Sequence, residues 1–332
     1  MKITLMSMVL GASLASGQLV AATDYPLTIT NCGYSHSYQQ APNATVTIGQ
    51  AATEILYKLG LAEKVKGTSV WFNDVLPEYQ AIDRAIPRLA ENDPSFESVV
   101  SKRPDLVIAQ YEWHVGAQGI VASREQFHDV GVATYILPTD CDNKDNSVGL
   151  DGTRLGQFST TSLYKSIHQL AAIFDVPERG DALINALTQR ENLAQQRALR
   201  AGSKNATAVF WYSSAALGMD PYVAGQKGPA AYIMKTLGIK NVVQSDEEWP
   251  TVGWESIAKA NPDIIVIAKM QRRRFPADDY HKKLEFLRND PVTKEMKAVK
   301  NGNIVVMDAL EMDATIRLID GLEKVTKAVE QR

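Results

Sequence analysis

The chain has 332 residues, enough for two domains of ordinary size, and 45% of its residues are hydrophobic. It carries 35 basic and 38 acidic residues, so it lacks the basic excess that nucleic-acid-binding surfaces need. We therefore expect a folded protein that binds neither DNA nor RNA.

Residues 1–22 have the pattern of a secretory signal peptide. Lys2 is followed by the apolar run ITLMSMVLGASL and then by small residues at positions 20–22, where a signal peptidase would cleave. The run is too short to span a membrane, and no Cys follows it closely enough for lipid attachment. We expect a soluble, periplasmic mature protein that begins near Thr23.

The chain has two cysteines, Cys32 and Cys141. In an oxidising compartment an even number of cysteines favours a disulfide, here closing a loop of about 110 residues. The alternative is a pair of buried free thiols.

A helix–turn–strand pattern occurs twice in the chain. Residues 95–109 read SFESVVSKRPDLVIA and residues 253–268 read GWESIAKANPDIIVIA. In each, a short helix begins near a Glu and ends at Pro-Asp, and a continuously apolar strand follows. Such strands are typical of parallel sheets covered by helices. The alternative is that any two βαβ units look alike.

The similarity extends upstream of both copies. VTIGQAATEILYKLGL and YVAGQKGPAAYIMKTLG each read as a strand, a glycine turn and a helix that ends at Leu-Gly. Two matches in the same order predict two lobes of similar α/β fold.

A long helix is predicted between the lobes, over residues 178–200. Pro177 stands at its start and Gly202 at its end, and apolar side chains recur at helical spacing. At 1.5 Å per residue the helix would be about 34 Å long. We predict an N-terminal lobe over 23–177, an interdomain helix over 178–201 and a C-terminal lobe over 202–332.

These features together resemble the periplasmic substrate-binding proteins of ABC importers for ferric siderophores, haem and cobalamin. The segments concerned are the signal peptide, the opening YPLTITNCG, the VTIGQAATEILYKLGL segment, the two Glu…Pro-Asp units and the connecting helix. The resemblance covers essentially the whole mature chain. It implies an α/β protein of two Rossmann-like lobes with central parallel sheets joined by one long α-helix.

The resemblance also implies a function and partners. Such a protein binds a small-molecule metal chelate between its lobes and docks on an ABC permease with its ATPase. In that family a glutamate at the start of the corresponding helix in each lobe contacts permease arginines, and Glu97 and Glu255 stand at these positions. The alternative is that both only complement helix dipoles. We expect a monomer.

Ligands of parallel α/β sheets bind outside the carboxyl ends of the strands, so the residues after the predicted strands should face the cleft. Aromatic and basic residues gather there and suit a large, flat or anionic ligand, with a ferric siderophore as the first choice. The alternatives are core aromatics and solvated arginines. The predicted ligand-binding residues are Trp71, Tyr111, Trp113, His114, Trp211, Tyr212, Arg272, Arg273 and Arg274.

Other classes of site find little support in the sequence. The five histidines lack metal-ligand spacing, so we expect neither a metal site nor a cofactor, although His114 could reach a haem iron. Enzyme motifs are absent. The open alternatives are a haem or cobalamin binder on the same scaffold, or an exported enzyme using Glu112, His114 and Asp308. The polar segment after Cys141 could cover or extend the mouth of the cleft, and it is expected to be a solvated loop rather than a calcium-binding loop.

Overall fold

The structure is a computed structural model that describes residues 22–117, 119–148 and 152–332. The predicted signal peptide, apart from Ala22, lies outside these residues. Within the described ranges no helix has the length and apolar character needed to cross a membrane.

The first lobe follows an antiparallel hairpin and is built on a five-stranded sheet in which every strand pair is parallel. The hairpin is β1 (Leu27–Asn31) and β2 (Tyr34–Tyr38). The sheet strands are β3 (Thr45–Ile48), β4 (Val65–Ser69), β5 (Arg88–Ala90), β6 (Leu106–Ala109) and β7 (Ala133–Ile136). The helices are α1 (Gln50–Lys58), α2 (Gln80–Asp83), α3 (Phe96–Val100), α4 (Glu112–Val115) and α5 (Arg124–Asp129).

The strand order of this sheet is β5-β4-β3-β6-β7, so the order reverses between β3 and β6. At such a switch point the loops after the two central strands diverge and leave a crevice. Gly49, directly after β3, has a φ of 125°, and an added Cβ would overlap the Cβ of Gln110 after β6. Only glycine lets the two strand ends approach this closely.

A second hairpin and two helices lead to the second lobe. They are β8 (Lys144–Asp145), β9 (Thr153–Arg154), α6 (Thr160–Ile173) and α7 (Pro177–Arg200). The long helix α7 is the predicted connecting helix. It packs on α6 on one side and on helices of the second lobe on the other. Gly180 lies in its first turns, where an added Cβ would overlap Ala171 of α6, so the missing side chain lets the two helices approach.

The second lobe repeats the architecture with a sheet of order β11-β10-β13-β14, to which β12 adds beside β10. All its strand pairs are parallel except the antiparallel β10–β11 pair at the edge. The strands are β10 (Thr207–Ser213), β11 (Tyr222–Val223), β12 (Lys240–Asn241), β13 (Ile264–Lys269) and β14 (Ile304–Asp308). The helices are α8 (Pro229–Leu237), α9 (Trp254–Ala260), α10 (Tyr280–Asn289), α11 (Lys297–Lys300) and α12 (Leu318–Glu330).

The predicted fold class is confirmed, with two parallel sheets and one long helix between them. One continuous hydrophobic core runs along α7 and takes side chains from both lobes. Each lobe has a further core on the opposite face of its sheet. The division into residues 23–177, 178–201 and 202–332 stays a prediction.

The disulfide between Cys32 and Cys141 is present, with the two Cα atoms 5.6 Å apart. It joins the turn of the first hairpin to the chain just beyond β7. Asn31 strengthens the same junction, because its side chain donates to the carbonyl of Ile136 and accepts from the Ile136 amide. The N-terminal hairpin is therefore attached to the first lobe covalently and by hydrogen bonds.

A buried ion pair connects the lobes directly. Arg317, just before α12, donates from Nε to Glu54 Oε2 of α1 at 2.9 Å and also contacts Oε1 through Nη2. Its Nη2 donates to the carbonyl of Asp74 at 2.7 Å, and its Nη1 donates to Asp308 at 3.2 Å. Asn73 completes the network by donating to Asp308 at 2.7 Å. These bonds hold the two lobes in a defined relative position.

Candidate functional site

A cavity of about 1400 Å³ lies between the lobes, at the carboxyl ends of the central strands of both sheets. Its first-lobe wall follows β4, β6 and β7, and its second-lobe wall follows β10, β13 and β14. Cavities for drug-sized ligands are usually about 300–1,000 Å³. This cleft is therefore large enough for a bulky ligand.

Five of the nine predicted ligand-binding residues line the cavity, and both lobes contribute. They are Tyr111, Trp113, Tyr212, Arg272 and Arg274. Their common feature is that each lies within a few residues of the carboxyl end of a parallel strand. Their contact with a ligand stays a proposal.

Trp211 was expected to contact the ligand, and the structure places it in the core instead. Its side chain is fully buried, its Nε1 donates to the Ser213 carbonyl at 3.0 Å, and its ring lies 4.7 Å from that of Trp254. Successive residues of a strand point to opposite faces of the sheet. Because Tyr212 faces the cavity, its neighbour Trp211 packs against helices on the other side.

Trp71 and Arg273 are also outside the cavity lining, because each has a partner elsewhere. The guanidinium of Arg88 stacks on the Trp71 ring at 3.6 Å, and Trp71 Nε1 donates to Thr68 Oγ1 at 3.0 Å. Arg273 Nη1 pairs with Asp279 Oδ2 at 2.8 Å.

His114 is fully buried and is not part of the cavity lining. Its Nε2 lies 3.0 Å from Asp93 Oδ1, and burial lowers its pKa, which favours the neutral ring. The expectation that His114 could reach a haem iron is therefore not met. Across residues 22–117, 119–148 and 152–332, no group of three or more His, Cys, Asp or Glu could hold a metal ion.

The acid–base groups of the enzyme alternative do not form one site. Glu112 accepts a hydrogen bond from Asn146 at 2.6 Å, His114 contacts Asp93, and Asp308 pairs with Arg317. Each group is engaged by a different partner. No feature of the described residues favours an exported enzyme.

The segment after Cys141 contributes to a wall of the cavity, in line with the alternative that it extends the cleft mouth and not with a solvated loop. Lys144 and Arg154 of its hairpin face the cavity. Arg154 is 6% exposed, and its Nε donates to Glu248 of the second lobe at 2.8 Å. Lys144 pairs with Asp140. The Arg154–Glu248 pair joins distant segments, so no local pattern predicted it, whereas Lys144 and Asp140 are only four residues apart.

Two tyrosines, Tyr111 of the first lobe and Tyr212 of the second, line the cavity. Burial, and then the charge of Asp313, raises the pKa of Tyr111 well above its usual value. The same two causes raise the pKa of Tyr212. Both phenols are therefore neutral at physiological pH and can donate or accept hydrogen bonds. The Tyr111 hydroxyl accepts from Gln110 at 2.9 Å.

Two arginines on one side of the cavity lack an ionic partner among the described residues. Arg272 stacks on Phe72 at 4.3 Å, and its backbone amide donates to the Phe72 carbonyl at 3.0 Å. Arg272 and Arg274 both donate to the side-chain oxygen of Asn92. Burial, followed by the charge of Arg274, lowers the pKa of Arg272. This side of the cavity carries two positive charges that the protein does not neutralise.

Lys283 is fully buried beneath the second-lobe wall. Its Nζ donates to the carbonyls of Tyr212 and Ala268 at the ends of β10 and β13. Burial lowers its pKa to about 7, against a weaker opposing effect of Asp278. The buried ammonium thus holds the two strand ends together under the cavity.

We expect Lys283 to make stability depend on pH above neutrality. The unfolded lysine binds a proton up to its ordinary pKa of about 10.4, whereas the folded one releases it near pH 7. The unfolded state therefore binds more protons between these values, and the free energy of unfolding should rise with pH across this window, by several kcal/mol at most. Denaturant unfolding of the wild type and of Lys283→Met between pH 6 and 10 tests this. If the free energy of unfolding changed with pH in the same way in both proteins, the predicted effect of Lys283 would be contradicted.

Comparisons with known proteins agree with this architecture. The family described as "Periplasmic binding protein" matches residues 46–310. An uncharacterized ABC transporter substrate-binding lipoprotein of Bacillus subtilis, YvrC, is 24% identical over 313 residues, which cover 92% of this chain and 86% of that protein.

Solved structures with the same fold include two proteins whose ligand classes are stated. The ABC-type Fe3+-hydroxamate transport system of Saccharomonospora viridis has a TM-score of 0.71 and 24% identity, covering 92% of this chain and 99% of that one. A periplasmic heme binding protein of Pseudomonas aeruginosa has a TM-score of 0.66 and 19% identity, covering 87% and 93%.

Proposed function

Since the chain belongs to the periplasmic binding protein family and is of the ABC transporter substrate-binding type, we propose that it captures a ferric siderophore for import. The ligand is held in the cavity between the lobes, in the periplasm. The protein then delivers the intact chelate to a membrane permease that works with an ATPase.

The choice of a ferric siderophore as the ligand rests on the two arginines that lack ionic partners. Ferric siderophores present hydroxamate, catecholate or carboxylate oxygens with negative charge, and guanidinium groups bind such oxygens by charge-assisted hydrogen bonds. Arg272 and Arg274 face the cavity on one side. Tyr111, Trp113 and Tyr212 supply aromatic faces and hydroxyls beside them. The Fe3+-hydroxamate system of similar fold agrees with this ligand class.

Ligand titration tests the proposal. Trp113 and Trp249 line the cavity, so a bound ferric chelate should quench tryptophan fluorescence saturably. The panel comprises ferric hydroxamate, catecholate and carboxylate siderophores, haem and cobalamin. We expect a siderophore to bind and the double variant Arg272→Gln, Arg274→Gln to weaken it at least about tenfold.

Arg273→Gln is the matched control, because Arg273 pairs with Asp279 and does not line the cavity. It should bind like the wild type. Saturable binding of haem or cobalamin alone would contradict the siderophore proposal and favour the other ligand class. An equal loss in Arg273→Gln and in the double variant would contradict the role of the arginines.

We further propose that Glu97 and Glu255 dock the two lobes on the permease. Each lies in the first turn of a short helix, α3 or α9, directly before the Pro-Asp turn of its lobe. Both side chains are exposed, and neither forms an ion pair within the described part of the chain. Two equivalent carboxylates on similar lobes suit a permease with two-fold symmetry, because each lobe meets the same kind of surface.

Charge reversal at both positions should block import without affecting capture. For Glu97→Lys, Glu255→Lys we expect uptake of the chelate to fall at least about tenfold, because like charges then face each other at the docking surface. Affinity measured by fluorescence should stay unchanged. A matched control reverses two exposed carboxylates of the connecting helix, Glu178→Lys and Asp181→Lys. Normal uptake by the double variant at Glu97 and Glu255 would refute the docking role.

A further inference from the structure

The cavity lining carries more carboxylates than cations. Nine carboxylate side chains line it, against four cationic ones. Of the cations, Arg154 is paired with Glu248 and Lys144 with Asp140. The remaining two are the arginines that we assign to the anionic part of the ligand. The cavity is therefore not uniformly suited to an anion.

Asp313 is one of these carboxylates. It is half-buried and faces the cavity from the chain between β14 and α12. Its Oδ1 accepts from the Ala314 amide at 2.7 Å, and its Oδ2 lies 3.4 Å from the Tyr111 hydroxyl. No Lys, Arg or His of the described ranges forms an ion pair with it. Its negative charge is left to solvent or to a ligand.

The charge of Asp313 acts on neighbouring ionisable groups. Besides burial, Asp313 raises the pKa of both Tyr111 and Tyr212. It also raises the pKa of Glu248 at the cavity wall. A positive group beside Asp313 would offset the repulsion between Asp313 and Glu248, and it would be partly shielded from water there.

Aromatic side chains also line the cavity near Asp313. The Tyr111 and Tyr212 rings reach it from opposite lobes, and the ring of Trp249 lies 4.8 Å from that of Tyr212. Aromatic faces attract cations through their quadrupoles, and a carboxylate among them adds a direct ion pair. This combination is suited to an ammonium group more than to a second anion.

We propose that Asp313, Tyr111, Tyr212 and Trp249 bind a cationic group of the ligand, an ammonium or a guanidinium. The ligand is then a chelate with two poles. Its metal-bound oxygens lie toward Arg272 and Arg274, and its cationic group lies beside Asp313. This inference rests on the proposed function and narrows its ligand class to chelates that carry a positive side chain.

Three ferric trihydroxamates that differ only in one terminal group test the inference. Ferrioxamine B ends in a primary ammonium, its N-acetyl derivative ends in a neutral amide, and its N-succinyl derivative ends in a carboxylate. Their iron centres are the same. We expect the wild type to bind the ammonium form about tenfold tighter than the neutral form, and the carboxylate form weakest.

Asp313→Asn should bring the ratio of the affinities for the ammonium and neutral forms close to one. Asp181→Asn, on the exposed face of α7, is the control and should keep the preference. The thermal midpoints of both variants verify that they fold. Equal binding of all three chelates by the wild type, or an unaltered preference in Asp313→Asn, would overturn the inference and leave the capture of ferric chelates in place. Failure of all three to bind would count against the proposed ligand class itself.

Discussion

Arg317→Met should destabilise the protein by about 3–5 kcal/mol, because it leaves Glu54 buried without its ionic partner. The Glu54 side chain is fully buried and that of Arg317 is 6% exposed, so water cannot replace the lost bonds. Arg317 also satisfies Asp308 and the Asp74 carbonyl. Chemical denaturation at pH 7 measures the change in the free energy of unfolding.

The loss of stability in Arg317→Met should also depend on pH. Burial raises the pKa of Glu54, and the hydrogen bonds and charge of Arg317 oppose this shift. Without Arg317 the pKa should rise further, so the folded protein keeps the carboxyl protonated where the unfolded chain ionises it. Stability of the variant should then fall, relative to the wild type, as the pH rises above the ordinary glutamate range.

A surface ion pair provides the control for Arg317. Arg190 of α7 contacts Asp320 at 2.5 Å and Glu323 at 2.7 Å, but its side chain is 40% exposed. Arg190→Met should lower the free energy of unfolding by less than about 1 kcal/mol, because solvent screens exposed ion pairs. Equal losses in the two variants would show that burial does not set the strength of the Arg317 network.

Removal of the disulfide is the second large effect that we expect. Cys32 and Cys141 are 109 residues apart in sequence. In the chain-entropy account, a bond across such a distance stabilises the folded state by on the order of 4 to 5 kcal/mol, because it restricts the unfolded chain. The double variant Cys32→Ser, Cys141→Ser should lose most of this stability in denaturant titrations under oxidising conditions.

The reduced wild type is the natural control for that experiment. It should match the double variant, since both lack the covalent link and retain the Asn31 hydrogen bonds to Ile136. Thiol labelling of the unreduced, denatured wild type should detect no free thiol. A difference of less than 1 kcal/mol between the oxidised wild type and the double variant would contradict the entropic account.

Sequence patterns predicted some of the residues that line the cavity and missed others. Tyr111 and Tyr212 line the cavity because strand ends of parallel sheets converge at one edge. Trp211 lies inside β10 with its side chain buried against Trp254, whereas Tyr212 and Ser213 at the end of the strand line the cavity. Arg154, Glu248 and Asp313 were missed because each acquires its role from segments far away in the chain, such as Glu248 for Arg154.

Local patterns in the sequence were sufficient for the two parallel sheets, the long helix at 177–200 and the pairing of the two cysteines. Strand hydrophobicity, proline and glycine positions and an even cysteine count act over a few residues or leave one possible pairing. The pairing of charges inside the cavity could not be predicted from local patterns. Tertiary packing set which arginines are neutralised and which carboxylates stay without a cation, because an ion pair depends on the distance in space between residues that the chain order does not specify.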